Sequence, residues 1–306
     1  PVILRRVPRG VRGGKTLTDK TRSEQTAPND RPELSVIIPL LNESESIDAL
    51  YQSLRSTLQE LGRRHEIILI DDGSTDGTQE RIQEIAASDP LVKAILLRRN
   101  FGQTAALMAG FDHALGDILV PMDGDGQNDA RDIPELLKRL DDGFDVVSGW
   151  RKKRQDSLIS RRFISAIANR IISFVSGVKL NDYGCTLKAY RRDILCDVRI
   201  YGEMHRFIPI YANWQGARVT EIPVRHHARK HGVSKYGLER TIKVILDLIV
   251  IRFLERYAQN PIYLFGSFGL ICLLGSFATG VYTVWLKLFE SVSFIKTPLP
   301  MLVVLM

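Results

Sequence analysis

Ile118-Leu-Val-Pro-Met-Asp-Gly-Asp125 is an apolar run that ends in two carboxylates one residue apart. Its length and make-up are those of a buried strand. Side chains at i and i+2 of an extended segment point the same way, so Asp123 and Asp125 can face one hard divalent cation. Such a cation usually bridges phosphate oxygens instead of sitting in an all-protein cage. Asp and Gly are also common turn residues, and an acidic turn is the plain alternative.

Around this run the chain alternates between two periods. Apolar stretches at Leu34–Pro39, Glu66–Ile70, Val92–Leu97, Ile118–Met122 and Asp145–Ser148 are separated by helical patterns at Ser46–Leu61, Thr78–Ala87, Thr104–Leu115 and Asp132–Leu140. That alternation predicts an α/β fold: a doubly wound, mostly parallel sheet with helices on both faces. Ligands of such sheets bind outside the carboxyl ends of the strands. Asn42-Glu43, Asp71-Asp-Gly73 and Asp123-Gly-Asp125 all fall there.

Composition narrows the partners. A chain of 306 residues with 44% hydrophobic and 25% charged residues is globular, and its net charge of +7 suits anionic ligands or an anionic lipid surface. No nucleic-acid-binding motif or zinc-finger spacing is present, which argues against a nucleic-acid partner. Cys185, Cys196 and Cys272 are scattered and form no C-x-x-C, which fits a reducing compartment.

The ends differ from the middle. Residues 1–32 are basic and rich in Thr, Gly and Pro, without the apolar core of a secretory signal, and read as a mobile tail. The α/β domain is expected over residues 33–235. Residues 236–260 mix Ile242, Ile245, Leu246, Ile249 and Phe253 with Arg240, Lys243, Arg252 and Arg256, the pattern of an interfacial amphipathic helix. In the transmembrane region, residues 261–306, Ile262–Leu286 is uncharged and long enough to cross a bilayer. A second apolar run begins near Pro298, so a multi-pass anchor is expected. The Lys and Arg before the span predict that the large domain lies on the cytoplasmic side. An exposed amphipathic helix also leaves room for a homo-oligomer.

Glu66-Ile-Ile-Leu-Ile-Asp-Asp-Gly-Ser-Thr-Asp-Gly-Thr78 ends a strand with two aspartates and opens a helix. A carboxylate here can accept hydrogen bonds from a base N–H or from ribose hydroxyls; an N-capped strand–helix junction is the bland reading. There is no G-x-G-x-x-G and no P-loop sequence. Pro39-Leu-Leu-Asn-Glu43, Asp71-Asp-Gly-Ser-Thr-Asp-Gly-Thr78, Asn100-Phe-Gly102, Asp123-Gly-Asp-Gly-Gln127, Ser148-Gly-Trp-Arg151 and Gly232-Val-Ser-Lys-Tyr236 occur in order. Together, from about Glu33 to the end, they resemble the GT-A family 2 glycosyltransferases. The likeness is to the polyprenyl-phosphate sugar transferases, especially undecaprenyl-phosphate glucosyltransferases, kin to dolichyl-phosphate mannose synthase.

The resemblance implies roles. Pro39, Glu43 and Asp72, with Asp123, match nucleotide-holding positions. Asp123 and Asp125 match the pair that binds Mg²⁺ or Mn²⁺ and the donor diphosphate, with Gln127 a further metal ligand. Arg151 matches an arginine that faces phosphate. Relatives often stack the base on an aromatic two residues after the first proline; here that position is Leu41, so the base contact is weaker or supplied elsewhere. Asp182, in Asn181-Asp-Tyr-Gly184, matches the acid usually offered as catalytic base. A phosphate monoester has its second pKa near about 6, so a polyprenyl phosphate is already largely dianionic and needs little proton abstraction. Asp182 is therefore expected to orient donor or acceptor, with an Asx-turn as the structural alternative.

Arg225-His-His-Ala-Arg-Lys-His-Gly-Val-Ser-Lys-Tyr236 is strongly basic. It resembles a loop that covers the donor, with Arg229 and Lys235 as phosphate clamps; attraction to anionic lipid is the other reading. His226 and His227 have no carboxylate among them and read as solvated. The expected activity is inverting transfer of glucose from UDP-glucose to polyprenyl phosphate. A GDP-mannose-dependent mannose synthase and a silent membrane-anchored nucleotide-binding scaffold are the alternatives. Processive polysaccharide synthases carry Q-x-x-R-W, whereas Gln215-Gly-Ala-Arg-Val219 ends in Val.

Overall fold

The computed structural model describes residues 31–152, 176–195, 204–227 and 260–289, with single positions at 170, 172, 173, 202, 250 and 253. Two compact units divide the chain, Pro1–Asp247 and Leu248–Met306. The first is built on a sheet of seven strands, β1 (Leu34–Leu40), β2 (His65–Asp71), β3 (Val92–Leu96), β4 (Ile118–Pro121), β5 (Val146–Trp150), β6 (Lys188–Arg191) and β7 (Val219–Pro223), in the order β3-β2-β1-β4-β6-β5-β7.

The four N-terminal strands are mutually parallel: β1 lies between β2 and β4, and β3 is outermost. Helices make the crossovers: α1 (Ile47–Leu61), α2 (Thr78–Ser88) and α3 (Gln103–His113). Their spans match the periodic segments of the sequence to within a residue or two. β1 and β2 are buried at nearly every position, which explains their uninterrupted apolar runs. Alternate residues serve different layers. Val36, Ile38 and Leu40 share a core with α1, α2 and α4 (Ile133–Asp141). On the opposite face α3 approaches so closely that a Cβ on Gly110 would lie 2.3 Å from Ile37 Cγ2.

β6, antiparallel to both β4 and β5, separates them and makes the sheet mixed. Lys188-Ala-Tyr-Arg191 is short and bears charge at both ends, so its period does not mark a strand. β7, Val-Thr-Glu-Ile-Pro, pairs parallel with β5 and is equally inconspicuous. Between them come α5 (Arg192–Leu195) and α6 (Ile208–Trp214).

The second unit contains α7, Ile262–Phe289. Its stretch Ile262–Trp285 has a mean hydropathy of 1.8 and is mostly exposed, Thr283 excepted, and among the described residues it is the helix long and apolar enough to cross a membrane. The basic tail, most of residues 236–260 and the apolar run after Pro298 lie outside the described residues.

At the carboxyl edge, Gly73 has φ +76°, and a Cβ there would meet the Arg99 carbonyl carbon at 2.5 Å. The exits of β2 and β3 are thus in backbone contact, which only glycine permits. Gly73→Ala is expected to lose roughly 1–3 kcal/mol to backbone strain, lowering the thermal midpoint of the full chain in detergent by roughly 2–4 °C for each kcal/mol. A melt like that of the unsubstituted protein would refute this account of the edge.

Candidate active site

The exits of β1 and β2 are stitched together. Asn42, at φ 56°, accepts from Thr75 N (2.9 Å) through Oδ1 and donates its own N–H to Ser74 Oγ (2.9 Å). Glu43 N donates to Thr78 Oγ1 (2.9 Å) and Ser44 N to Asp76 Oδ2 (3.1 Å). Burial works against the Asp76 charge, but hydrogen bonds from Thr78 and Ser44 prevail and hold its pKa down to about 2. Pro39 sits half-buried in β1, opposite Ile70. Ser46 Oγ is 2.9 Å from Glu43 Oε2 and 3.1 Å from the Gly124 carbonyl, so Glu43 is tied to the loop that carries the paired aspartates.

Asp71 and Asp72 divide their work. Both oxygens of Asp71 accept from Ser74 N, which turns the chain toward α2. Asp72 Oδ1 and Oδ2 accept from Phe101 N (2.8 Å) and Gly102 N (2.9 Å), at the mouth of α3. Burial raises the pKa of Asp72, and those two N–H groups offset part of the rise. An ionised carboxylate has about four acceptor positions, so two remain for a ribose or a base.

Asp123 and Asp125 do not extend β4, which ends at Pro121; Met122 N makes a final bond to Ile37 O (3.0 Å), and Gly124 and Asp125 form a turn. The plain alternative, an acidic turn, is what forms here: the carboxylates are delivered by the strand but are not on it. Strand alternation does not set their directions. What does is local bonding: Gln127 N donates to Asp125 Oδ1 (3.1 Å), and Gln103 Nε2, from the first turn of α3, donates to Asp123 Oδ1 (2.7 Å). Gly124 fits because a Cβ would lie 2.3 Å from Leu40 Cδ2. Among the described residues no group of three His, Cys, Asp or Glu forms a cage. Two carboxylates and the Gln127 amide are hard oxygen donors too few to enclose an ion, which fits a Mg²⁺ or Mn²⁺ shared with a diphosphate.

Arg151 and Asp182 form a fork. Arg151 Nε lies 2.6 Å from Asp182 Oδ2 and Nη2 lies 2.9 Å from Oδ1, with side chains only 12% and 7% exposed. Gly184 N also donates to Asp182 Oδ1 (3.1 Å), so the Asx-turn, the structural alternative for Asn181-Asp-Tyr-Gly184, is present beside the ion pair. Burial favours a neutral Arg151, but the hydrogen bonds and charge of Asp182 outweigh it and raise its pKa; the Asp123 charge acts in the same direction. A carboxylate held in two charge-assisted bonds is a poor proton acceptor.

Lys188 escaped the sequence reading. It is 2% exposed, and its Nζ donates to the Tyr183 carbonyl (3.2 Å), beneath the loop bearing Asp182. Burial lowers its pKa to about 8. The hint was a lysine within the apolar context of Cys185–Tyr190, but only the strand pairing makes it internal. Gln103 was likewise invisible, because its partner is 20 residues away.

The basic segment is described only as far as His227; Arg229 and Lys235 lie outside the described residues. Its start is fastened to the loop after Asp125. His227 N donates to the Gln127 carbonyl (2.9 Å), and His227 Nε2 is 3.1 Å from Asp129 Oδ2. Arg225 N donates to Asp132 Oδ2 (2.6 Å). Hydrogen bonds from Arg131, then from His227, hold the pKa of the 3%-exposed Asp129 well below the usual carboxylate range, against its burial. His227 is therefore paired, not simply solvated; its partner is 98 residues away in sequence.

The family model described as Glycosyl transferase family 2 matches residues 35–199. A dodecaprenyl-phosphate galacturonate synthase of Rhizobium johnstonii is 46% identical over 242 residues, 78% of this chain and 72% of that one. An undecaprenyl-phosphate 4-deoxy-4-formamido-L-arabinose transferase of Klebsiella pneumoniae is 41% identical over 257 residues, 84% of this chain and 77% of that one. Among solved structures, a Pyrobaculum calidifontis mannosyltransferase with GDP-Man and Mn²⁺ superposes with a TM-score of 0.52 at 21% identity, covering 79% of this chain and 68% of that one. Glucosyl-3-phosphoglycerate synthase of Mycobacterium tuberculosis, with Mn²⁺ and UDP, reaches 0.55 at 18% identity, covering 78% and 86%. These two likenesses are of fold, the GT-A arrangement. The match over residues 35–199 and the identity of 46% across 78% of the chain place this protein in glycosyl transferase family 2.

Proposed function

We propose that the chain moves a sugar from a nucleotide donor to a polyprenyl phosphate, with inversion, at the cytoplasmic face of a membrane. Residues 33–235 would be the catalytic domain, 236–260 the interfacial segment and 261–306 the anchor. One observation carries the reading: the buried Arg151, forked by Asp182, is a fixed cation within the field of Asp123. Polyprenyl-phosphate acceptors are named for relatives 46% and 41% identical to this chain, which supports the same acceptor here. The exposed apolar α7 suits an acceptor that lives in the bilayer.

Each residue has a task in this reading. Pro39, Glu43 and Asp72 line the nucleoside end, and Asp123, Asp125 and Gln127 would hold Mg²⁺ or Mn²⁺. A bound divalent ion would supply charge neutralisation for the departing nucleoside diphosphate. Arg151 holds phosphate oxygens, and Arg229 and Lys235 add positive charge from the basic segment. The lipid phosphate is mostly dianionic at neutral pH, since its second pKa is about 6, and attacks the anomeric carbon without a strong base. Asp182 orients Arg151. UDP-glucose is the donor favoured by the motif resemblance. A nucleotide-linked galacturonate is the second reading, favoured by the 46% identity to a galacturonate synthase.

Membranes containing the full chain, given Mg²⁺ or Mn²⁺ and a panel of radiolabelled nucleotide sugars, should pass label to a chloroform-soluble lipid. UDP-glucose and nucleotide-linked galacturonate are the decisive members of the panel. Absence of transfer from every donor, despite tight binding of a nucleoside diphosphate, would establish the silent scaffold instead. In the same assay Asp125→Ala should cost about 100-fold or more in turnover, the scale of losing one electrostatic stabiliser of a developing charge. Normal turnover would disprove the metal assignment.

Asp182→Asn and Arg151→Lys should each slow turnover by roughly tenfold or more, as expected for losing a charge-assisted fork. The acid limb of the pH–rate profile should survive in Asp182→Asn. If that limb vanished while Arg151→Lys stayed active, Asp182 would be a base after all.

A further inference from the structure

Leu41 offers no flat face to a nucleobase, so any stacking contact at the nucleoside end must come from elsewhere. Outside α7, Phe101 is the one exposed Phe, Tyr or Trp among the described residues. It is 39% exposed and stands just past the carboxyl end of the edge strand β3. A lone exposed apolar residue needs no explanation, but the setting of this one is specific.

The Phe101 backbone is held firmly. Its N–H is bonded to Asp72 Oδ1 (2.8 Å), that of Gly102 to Asp72 Oδ2 (2.9 Å), and the preceding Arg99–Asn100 peptide rests against Gly73. The Arg99 guanidinium lies over the ring, 4.7 Å from its centroid. Among the described residues neither Arg98 nor Arg99 is within ion-pair distance of a carboxylate, so a guanidinium and an aromatic face share this corner. Two residues further on, Gln103 touches Asp123 at 2.7 Å. Two residues span at most about 7 Å of backbone, the scale on which a ribose separates a base from its diphosphate. A single rigid segment thus reaches from the Asp72 corner to the paired aspartates.

We propose that Phe101, backed by Arg99, is the platform on which the base of the donor nucleotide stacks. The ligand class is a nucleoside diphosphate, and the assignment rests on the nucleotide-sugar reading given above. Stacking accepts any base because every base has a π-face, so Phe101 contributes affinity, while the choice of base lies with polar groups nearby. Holding the ring by its backbone before the ligand arrives lowers the ordering cost of binding.

The test is calorimetric titration of the full chain in detergent, with Mn²⁺ present, using UDP, GDP and inorganic pyrophosphate. Phe101→Ala should weaken UDP binding roughly 5- to 150-fold, the range for losing one base–aromatic stack, and leave pyrophosphate binding unchanged. Phe101→Trp should bind UDP close to the unsubstituted protein, with its indole fluorescence quenched on binding. Unaltered UDP affinity in Phe101→Ala overturns the platform. Parallel loss of UDP and pyrophosphate affinity also overturns it, because Phe101 would then be supporting the aspartate loop. If the unsubstituted protein binds pyrophosphate but neither UDP nor GDP, the nucleotide-sugar reading itself falls and the platform with it.

Discussion

Parallel pairing of β1 with both β2 and β4 is the constraint from which the site follows. Parallel strands end at the same edge, so the exits of β1, β2, β3 and β4 must converge there. Asn42–Ser46, Asp71–Thr78, Arg98–Gly102 and Asp123–Gln127 are those exits. Antiparallel neighbours would have sent alternate exits to opposite edges, and Asp72 and Asp123 would lie a strand length apart. The crossovers α1, α2 and α3 enforce the parallel direction by burying their apolar stripes on the sheet.

Once gathered, crowded carboxylates need hydrogen-bond donors. Each is supplied with donors in advance: Asp72 by two backbone N–H groups, Asp76 by Thr78 and Ser44, Asp123 by Gln103, Asp182 by Arg151. These bonds both lower the cost of crowded negative charge and set the direction of each oxygen. The donors come from different exits, so satisfying one carboxylate positions the next loop. Asp72 places Phe101 and α3, α3 places Gln103, and Gln103 orients Asp123. The same logic continues on the far side, where Asp129 and Asp132 collect Arg225 and His227 as the chain leaves β7.

The legible part of the fold was the part with strong periodicity. β1 to β5 and α1 to α4 follow from apolar runs and helical spacing in Leu34–Ser148. β6 and β7 do not, because Lys188 and Glu221 interrupt their apolar pattern. Lys188 is buried, and Glu221 accepts from Asn181 N (2.8 Å) on the loop that carries Asp182. Local sequence cannot announce a strand whose polar residues are satisfied by distant loops. The same reason hid Gln103, the pairing of His227 with Asp129, and the fork between Arg151 and Asp182, which are 31 residues apart.

By itself the sequence determined which chemistry is present: paired aspartates after a strand, a doubled aspartate before a helix, a basic segment and a helix apolar enough for a membrane. Residue types and short spacings carry that information, because strand, turn and helix geometry act over a few residues. Tertiary structure alone decided how those groups are placed and bonded. It moved Asp123 and Asp125 off the strand into a turn, committed half of Asp72 to the α3 mouth, and locked Asp182 onto Arg151. It also left Phe101 exposed beside Asp72. Such outcomes depend on which distant donor the folded sheet edge brings to each carboxylate.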